Sequence, residues 1–345
     1  MPYPPIYFAA ATFDQQMYNA GIVRMHQEKI LKAAGCKPLF FKYSDKKAFW
    51  YKILRLIQGC RMAISLPKHC KVLFHFPMHA AVYSWLLTLL QLRGISTVAL
   101  IIDIDGLRDN DNILLVQEIK KLKRFSLLVA HNTAMKNKLL QQLPSSKISC
   151  IELFDYPVKI SLPDVKKSNT VCFAGNLNKA TFVNHLDKVP TTKFFIYGPC
   201  ADISLIQSEH VIYKGVILPD ELPAELEGSF GLVWDGNLLD EGDDYLRYNN
   251  PHKLSLYLTA GLPVIVWEQS ASAAFVNLHD IGFSVNSLRE IPGKIQQMSD
   301  EQFNKMHKNA LAISKKTTRG YFLKSVINVL KTENFLMGLL FFYYA

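Results

Sequence analysis

The sequence predicts an α/β protein built from two Rossmann-like halves, and three observations support this. Short apolar runs rich in β-branched and aromatic residues alternate with segments of helical period along the whole chain. Most of these runs close on glycine, asparagine, aspartate or proline, the residues that punctuate strand-to-helix turns. The 345 residues exceed what one core usually holds, and a polar, proline-bearing link, "VKISLPDVKKSN" (158–169), divides the series.

The first half opens on "PIYFAAA" (5–11), a strand, and "NAGIVRMHQEKILKAAG" (19–35), a helix. Ile22, Met25, Ile30 and Ala33 give that helix its apolar positions, and Gly35 offers a C-terminal stop. "KPLFFKY" and "KVLFHFP" are further strands, "AVYSWLLTLLQLRG" is a buried helix, and "STVALIIDID" (96–105) is the next strand. "FSLLVAHN" followed by "TAMKNKLLQQL" repeats the strand–loop–helix idea, and "KISCIELFDYP" (147–157) closes the half. The second half runs "TVCFAG", "TKFFIYG", "HVIYKG", "FGLVWDG", "LPVIVW" and "IGFSVNS", with helices around 301–330 to finish it. The expected domains are 1–160 and 161–315. Residues 316–345 are expected to form a C-terminal helix and apolar tail that packs back on the first domain or makes an interface. The acidic stretch "DGNLLDEGDDYLR" (235–247) lacks calcium-loop spacing and reads as a solvated loop.

The composition, 49% hydrophobic and 20% charged, is that of a folded globular chain and excludes the disordered and low-complexity classes. A formal charge of +10 suits anionic partners such as nucleotides or an anionic membrane face. No arginine-rich tract, zinc knuckle or RNA-binding aromatic signature is present, so nucleic acid is not an expected partner. Six scattered cysteines with no C-x-x-C pair suit reduced thiols in the cytosol. The N-terminus lacks the basic and apolar regions of a secretory signal, and no apolar run reaches the ~20 residues that span a bilayer. The tail "NFLMGLLFFYYA" (334–345) is strongly apolar and reads as a packed helix, a subunit contact that makes a homo-oligomer, or a peripheral contact at the inner membrane face.

The most informative stretch is "RYNNPHKLSLYLTAGLPVIVW" (247–267). Asn249 or Asn250 suits an N-cap, and Pro251 suits the first helical position, where a missing N–H costs nothing. Leu254, Tyr257 and Leu258 keep helical spacing, Gly261 suits a left-handed C-cap, and Pro263 prevents continuation into "PVIVW". His252 and Lys253 then occupy the first turn, where cations oppose the helix dipole. Their presence is explained if an anion sits there, because free N–H groups and the dipole favour one, and a diphosphate fits. In "CFAGNLNKATF" (172–182), Gly175, Asn176 and Lys179 place backbone donors and a cation at the C-terminal edge of a sheet, where open α/β sheets bind ligands. Asn19, Ala20 and Gly21 lie between the first strand and helix, where glycine permits close approach of a ligand. Ordinary turns and a capped helix with exposed cations account for the same residues.

Together, "FAGNLNKATF", "YKG", "FGLVWDG" and above all "YNNPHKLSLYLTAGLPVIVW" resemble the second domain of a bacterial sugar-transferase family. That family includes β-1,6-galactofuranosyltransferases and the glucosyltransferases that extend glycans on serine-rich adhesins. "NAGIVR", "IIDIDGLRD", "LVAHNTAMKNKL" and "LFDYP" match its first domain, so the similarity covers most of the chain. The resemblance implies a GT-B arrangement, two Rossmann-like domains facing across a cleft, with a UDP-sugar on the second and a saccharide acceptor, lipid-linked or on a glycoprotein, on the first. It implies Asn250, Lys253 and Ser255 near the diphosphate, with Asn249 and His252 in the same segment. It also implies Lys179 in place of a basic residue that holds the nucleotide, Tyr213 against the nucleotide, and Asn19 to Gly21 facing the donor from the other domain.

The sequence departs from related retaining transferases, which place a ribose-binding glutamate three residues after the lysine. Leu256 stands there, and no E-x7-E pair spans the segment. Inverting transfer needs a base for the acceptor hydroxyl, and Asp105, Asp103 and His131, at strand ends of the first domain, are the candidates. A turn carboxylate and a buried core histidine are their ordinary readings. Two alternatives have other chemistry: a non-catalytic sugar-nucleotide-binding or scaffold subunit, and a metal-dependent D-x-D transferase or phosphatase built on "IIDIDG". The preferred reading is a cytoplasmic hexosyltransferase that needs no metal or other cofactor.

Overall fold

The computed structural model describes residues 4–10, 21–41, 49–78, 80–162, 165–189, 191–206 and 208–343. The chain divides into two compact units, one made of Met1–His131, Lys136–Ile151 and Phe322–Ala345, the other of Asn132–Met135 and Glu152–Tyr321. Among the described residues no helix is long and apolar enough to cross a membrane.

The first unit is a six-stranded parallel sheet in the order β2-β1-β3-β4-β5-β6. Its strands are β1 (Ile6–Ala10), β2 (Lys37–Phe40), β3 (Lys71–Phe76), β4 (Ser96–Ile101), β5 (Leu127–Ala130) and β6 (Ile148–Cys150). The crossovers carry α1 (Gly21–Ala33), α2 (Phe49–Ser65), α3 (Ala81–Leu92), α4 (Asp105–Arg108), α5 (Asn112–Leu122) and α6 (Thr133–Leu140). All six residues of β3 are buried, as expected of a central parallel strand covered on both faces. One of them is Lys71, whose ammonium donates to the Leu330 carbonyl at 2.5 Å, on a helix from the far end of the chain.

The second unit repeats the design in the order β12-β11-β10-β7-β8-β9, again all parallel. Here β7 is Thr170–Ala174, β8 Lys193–Tyr197, β9 Val211–Gly215, β10 Phe230–Val233, β11 Val264–Trp267 and β12 Gly282–Val285. Its helices are α7 (Leu222–Glu225), α8 (His252–Thr259), α9 (Ala271–His279), α10 (Ile291–Gln297) and α11 (Asp300–Thr317), after which α12 (Tyr321–Tyr343) ends the described chain. The core is dense with aromatics: Phe173, Phe194, Phe230, Trp234, Trp267 and Phe303 are all sealed.

Several expectations need adjusting. The strand expected over 96–105 stops at Ile101, because Asp105 already opens α4. In the segment 147–157 that closes the first half, only Ile148–Cys150 form a strand, and residues 151–157 run irregularly. After Lys179 a turn leads into a 3-10 segment, Thr181–Lys188, rather than the α-helix that a strand-to-helix turn would lead to, and its Phe182, Val183 and Leu186 are buried. The acidic stretch 235–247 is anchored rather than solvated throughout, since Leu239, Tyr245 and Leu246 are buried. Arg247 also lies over the Trp267 ring at 4.6 Å.

One glycine decides how α8 meets its sheet. A Cβ on Gly231 of β10 would fall 2.2 Å from Cγ of Tyr257. The bare backbone lets the Tyr257 ring pass beneath, so that its hydroxyl accepts the Ala174 N–H at 2.8 Å. Gly231→Ala should therefore lower the unfolding free energy by about 1–3 kcal/mol, read from urea denaturation. Gly293→Ala is the control, because nothing lies within 4 Å of its would-be Cβ on α10. That substitution should raise stability by up to about 1 kcal/mol.

Candidate active site

In the second unit the strand order reverses between β7 and β10, and ligands of open α/β sheets bind outside the strand ends at such a point. Lys253, in the first turn of α8, delivers its ammonium there. It donates to the Trp234 carbonyl at 2.8 Å and to Asp235 Oδ1 at 2.6 Å, just past the end of β10. It also lies 4.5 Å from the centroid of the Phe173 ring on β7. Its Nζ is 3.7 Å from where a Cβ on Gly175 would stand. A mostly buried cation thus faces the switch point, lined by a glycine that leaves room for a ligand.

The start of α8 differs from the expected one. Pro251, not an asparagine, is the cap, and no side chain caps the helix. The reason is that the buried Asn250 amide is engaged elsewhere. It donates to the Glu152 carbonyl at 2.7 Å, and its Oδ1 accepts from Asn132 Nδ2 at 2.7 Å. Asn132 also donates to the Tyr248 carbonyl and accepts the Met135 N–H, so it ties the approach of α8 to Asn132–Met135, the short segment that belongs to the same unit. His252 stacks on the Tyr156 ring at 4.9 Å, and the Tyr156 hydroxyl donates to the Pro219 carbonyl at 2.7 Å. Two polar atoms of this segment, Asn249 Oδ1 and Ser255 Oγ, are buried with no hydrogen-bond partner among the described residues. A buried polar atom left unpaired is destabilising unless something else satisfies it.

The other expected donor-binding residues are more scattered. Gly175 and Asn176 follow β7 directly, and Lys179 is exposed in the turn after them. Tyr213 lies on the edge strand β9, where its hydroxyl donates to the Gly198 carbonyl at 2.9 Å. Gly21 is the first residue of α1, and Asn19 lies outside the described residues.

In the first unit, Asp103 and Asp105 follow β4, where one guanidinium serves both. Arg108 Nη1 pairs with Asp103 Oδ2, and with Asp105 Oδ1 at 2.8 Å. Behind them the buried Glu118 accepts the N–H groups of Asp105 and Gly106, at 3.1 and 2.8 Å. Burial raises the Glu118 carboxyl above its ordinary range. His131 is sealed in the interior, and burial lowers its pKa to about 4. It is therefore a neutral, inaccessible ring near neutral pH. Among the described residues no group of three or more His, Cys, Asp or Glu side chains is arranged to hold a metal ion.

The comparisons with known proteins agree along the chain. Residues 7–153 match the family described as "Glucosyltransferase 3-like, N-terminal domain", and residues 171–330 match its C-terminal domain. The chain belongs to the glucosyltransferase 3-like family. A β-1,6-galactofuranosyltransferase, WbbI of Escherichia coli (strain K12), is 32% identical over 279 residues, spanning 76% of this chain and 80% of its own. Glucosyltransferase 3 of Streptococcus gordonii is 28% identical over 243 residues, 69% of this chain and 71% of its own. Among solved structures, an Escherichia coli trehalose-6-phosphate protein bound with UDP-2-fluoro glucose superposes with a TM-score of 0.61. It does so at 9% identity, covering 95% of this chain and 99% of the other. The pneumococcal O-GlcNAc transferase GtfA, in complex with UDP and GlcNAc, gives 0.57 at 14% identity, over 83% of this chain and 61% of its own. At such identities the likeness shows the fold alone, which is GT-B. This glucosyltransferase 3-like chain is a glycosyltransferase, and a scaffold or phosphatase reading is not favoured.

Sequence reasoning missed Asp235, Asn132, Glu152 and Tyr156. Only Asn132 carried a local signal, as an asparagine opening a helix.

A pH dependence of stability follows from three sealed histidines, His26, His75 and His131; burial holds His75 well below its ordinary value too. Burial also lowers the His26 pKa to about 4. All three rings bind a proton less readily folded than unfolded, where the ordinary value is 6.5. As pH falls from 6.5 toward 4 the unfolded chain takes up protons first, so stability declines across that window. The loss is up to about 3 kcal/mol for each of His26 and His131. Urea titrations at stepped pH should show this decline, and His131→Gln should make it shallower.

Proposed function

We propose that the protein moves a hexosyl unit, galactofuranose or glucose, from a UDP-sugar to a saccharide acceptor, lipid-linked or on a glycoprotein. The observation that carries this reading is the Lys253 ammonium at the switch point of the second sheet. In glycosyl transfer negative charge develops on the departing diphosphate, and a cation already held in place stabilises it without reorganising. The free N–H groups at the start of α8 add to that field. On this reading Asn249 and Ser255 offer polar atoms to the same ligand, and Lys179 and Tyr213 contact the nucleotide. The acceptor is received on the first unit, where Asp105 or Asp103 takes the proton of the attacking hydroxyl. His131 is unsuited to that task because it is sealed and binds protons weakly.

Because a lysine supplies the charge, the reaction is proposed to run without a metal. The protein is proposed to work in the cytoplasm, in peripheral contact with the inner membrane face. The relatives' names support the hexosyl part of the reading, and the basic balance of the chain supports the membrane part.

UDP should raise the melting temperature, since a ligand of the native state alone stabilises it, and transfer should persist in EDTA. Lys253→Ala should lower kcat/KM by about 2–3 kcal/mol, the scale of a lost charge-assisted contact. A change under about twofold would refute the assignment.

A further inference from the structure

The carboxylate of Asp235 is fixed at the switch point of the second sheet. Asp235 is the second residue after β10, and the loop it opens is pinned where it starts. Its carbonyl accepts the Asp243 N–H at 3.0 Å, with Gly236 at a φ of +105° making the turn. The Trp234 indole donates to the Leu238 carbonyl at 3.0 Å, and the buried Leu239 accepts the Leu288 N–H at 2.8 Å. The side chain is therefore presented from backbone that is tied on several sides. Its Oδ1 accepts from the Lys253 ammonium at 2.6 Å. Its Oδ2 has no hydrogen-bond partner among the described residues, and the side chain is 40% exposed.

Such a carboxylate is out of place in a site for a diphosphate alone. Its charge opposes an arriving anion and offsets part of the field of Lys253. Holding the ammonium does not require it, since the uncharged Trp234 carbonyl accepts from the same Nζ at 2.8 Å. An ionised carboxylate with an open oxygen is, however, a strong acceptor for hydroxyl groups, which a hexosyl ring presents. The sheet order supplies the direction. The loop past β10 carries Asp240, Glu241, Asp243 and Asp244 besides Asp235, against one cation, Arg247. Across the reversal, the turn after β7 (175–179) carries Lys179 and no acidic residue. Lys253 stands at the boundary, with the Phe173 ring of β7 on one side and Asp235 on the other. The uncharged end of a sugar nucleotide fits the β10 side, and its phosphates fit the β7 side.

We propose that Asp235 is a specificity-determining residue whose Oδ2 accepts a hydrogen bond from a hydroxyl of the donor's hexosyl ring, while Lys253 holds Oδ1. The inference rests on the UDP-sugar reading above and adds to it the residue that recognises the sugar.

The test is calorimetric titration of the full chain with UDP, UDP-glucose and UDP-galactofuranose, and with monodeoxy forms of the sugar nucleotide that binds more tightly. In Asp235→Ala the affinity for that sugar nucleotide relative to UDP should fall at least about tenfold, the scale of a hydrogen bond to a charged acceptor. UDP itself should bind as tightly as to the parent or more tightly, because a like charge has gone. One monodeoxy donor should bind the parent about tenfold more weakly than the full sugar does, and Asp235→Ala equally well, because the acceptor for that hydroxyl is absent. Asp235→Asn keeps an oxygen for Lys253 and should bind UDP as the parent does, with a smaller loss on the sugar. It carries the test if the alanine variant loses its melting transition. Parallel loss of UDP and sugar-nucleotide binding overturns the proposal and leaves Asp235 an anchor for Lys253. An unchanged ratio with UDP still bound overturns this assignment alone. A parent chain that binds neither UDP nor a UDP-sugar overturns the donor reading, and this assignment with it.

Discussion

One ammonium group organises the second unit. Lys253 is held by a main-chain carbonyl and a carboxylate just past the end of β10 and by an aromatic face on β7, the two strands that flank the reversal of strand order. That position follows from α8, and α8 is fixed by Tyr257 beneath the bare backbone of Gly231. The sheet, the helix and the charge are therefore parts of one arrangement. On the proposed reading, a diphosphate arriving there would find the cation already oriented, with no side chain to be recruited from solvent. A flexible lysine on a loop would have to be ordered first, at the expense of side-chain entropy.

The two units share a parallel architecture but use their sheet edges differently. In the second, a cation and two polar atoms unpartnered among the described residues lie in the segment that opens α8. In the first, a short helix is held by the buried carboxylate of Glu118, and two aspartates turn toward one arginine. The contrast suits a reaction with one charged and one neutral substrate. It also shows why the fold alone would not identify the chemistry, since doubly wound sheets of either strand order host many activities.

Much of this was legible in the sequence because parallel strands buried on both faces leave strong local traces. "KVLFHF", "VIVW" and "FGLV" are short apolar runs bounded by turn residues, and they are strands. Lys253 was legible for a similar reason, since a cation in a first helical turn opposes the dipole and calls for an explanation. What escaped notice depends on distant partners. Asp235 sits in an acidic stretch that looks like ordinary solvated loop, and only the fold brings it to Lys253. Asn132 and Glu152 meet Asn250 from positions more than ninety residues away in sequence. The capping of α8 was misjudged for the same cause, because local propensity favours an asparagine cap and tertiary hydrogen bonds took its amide elsewhere. Helix α2 was passed over because its apolar residues do not mark a buried face.

The segment "DIDGLRDND" (103–111) carries four aspartates and one arginine in a chain whose formal charge is +10. It is a small anionic island on a cationic protein. On the proposed reading, a sugar nucleotide, doubly charged along its pyrophosphate, would be repelled from that island and drawn to Lys253. An uncharged hydroxyl would feel neither bias. On that reading, electrostatic sorting of this kind would send each substrate to its own sheet before any shape is read, and it would discourage a second nucleotide from occupying the place meant for the glycan.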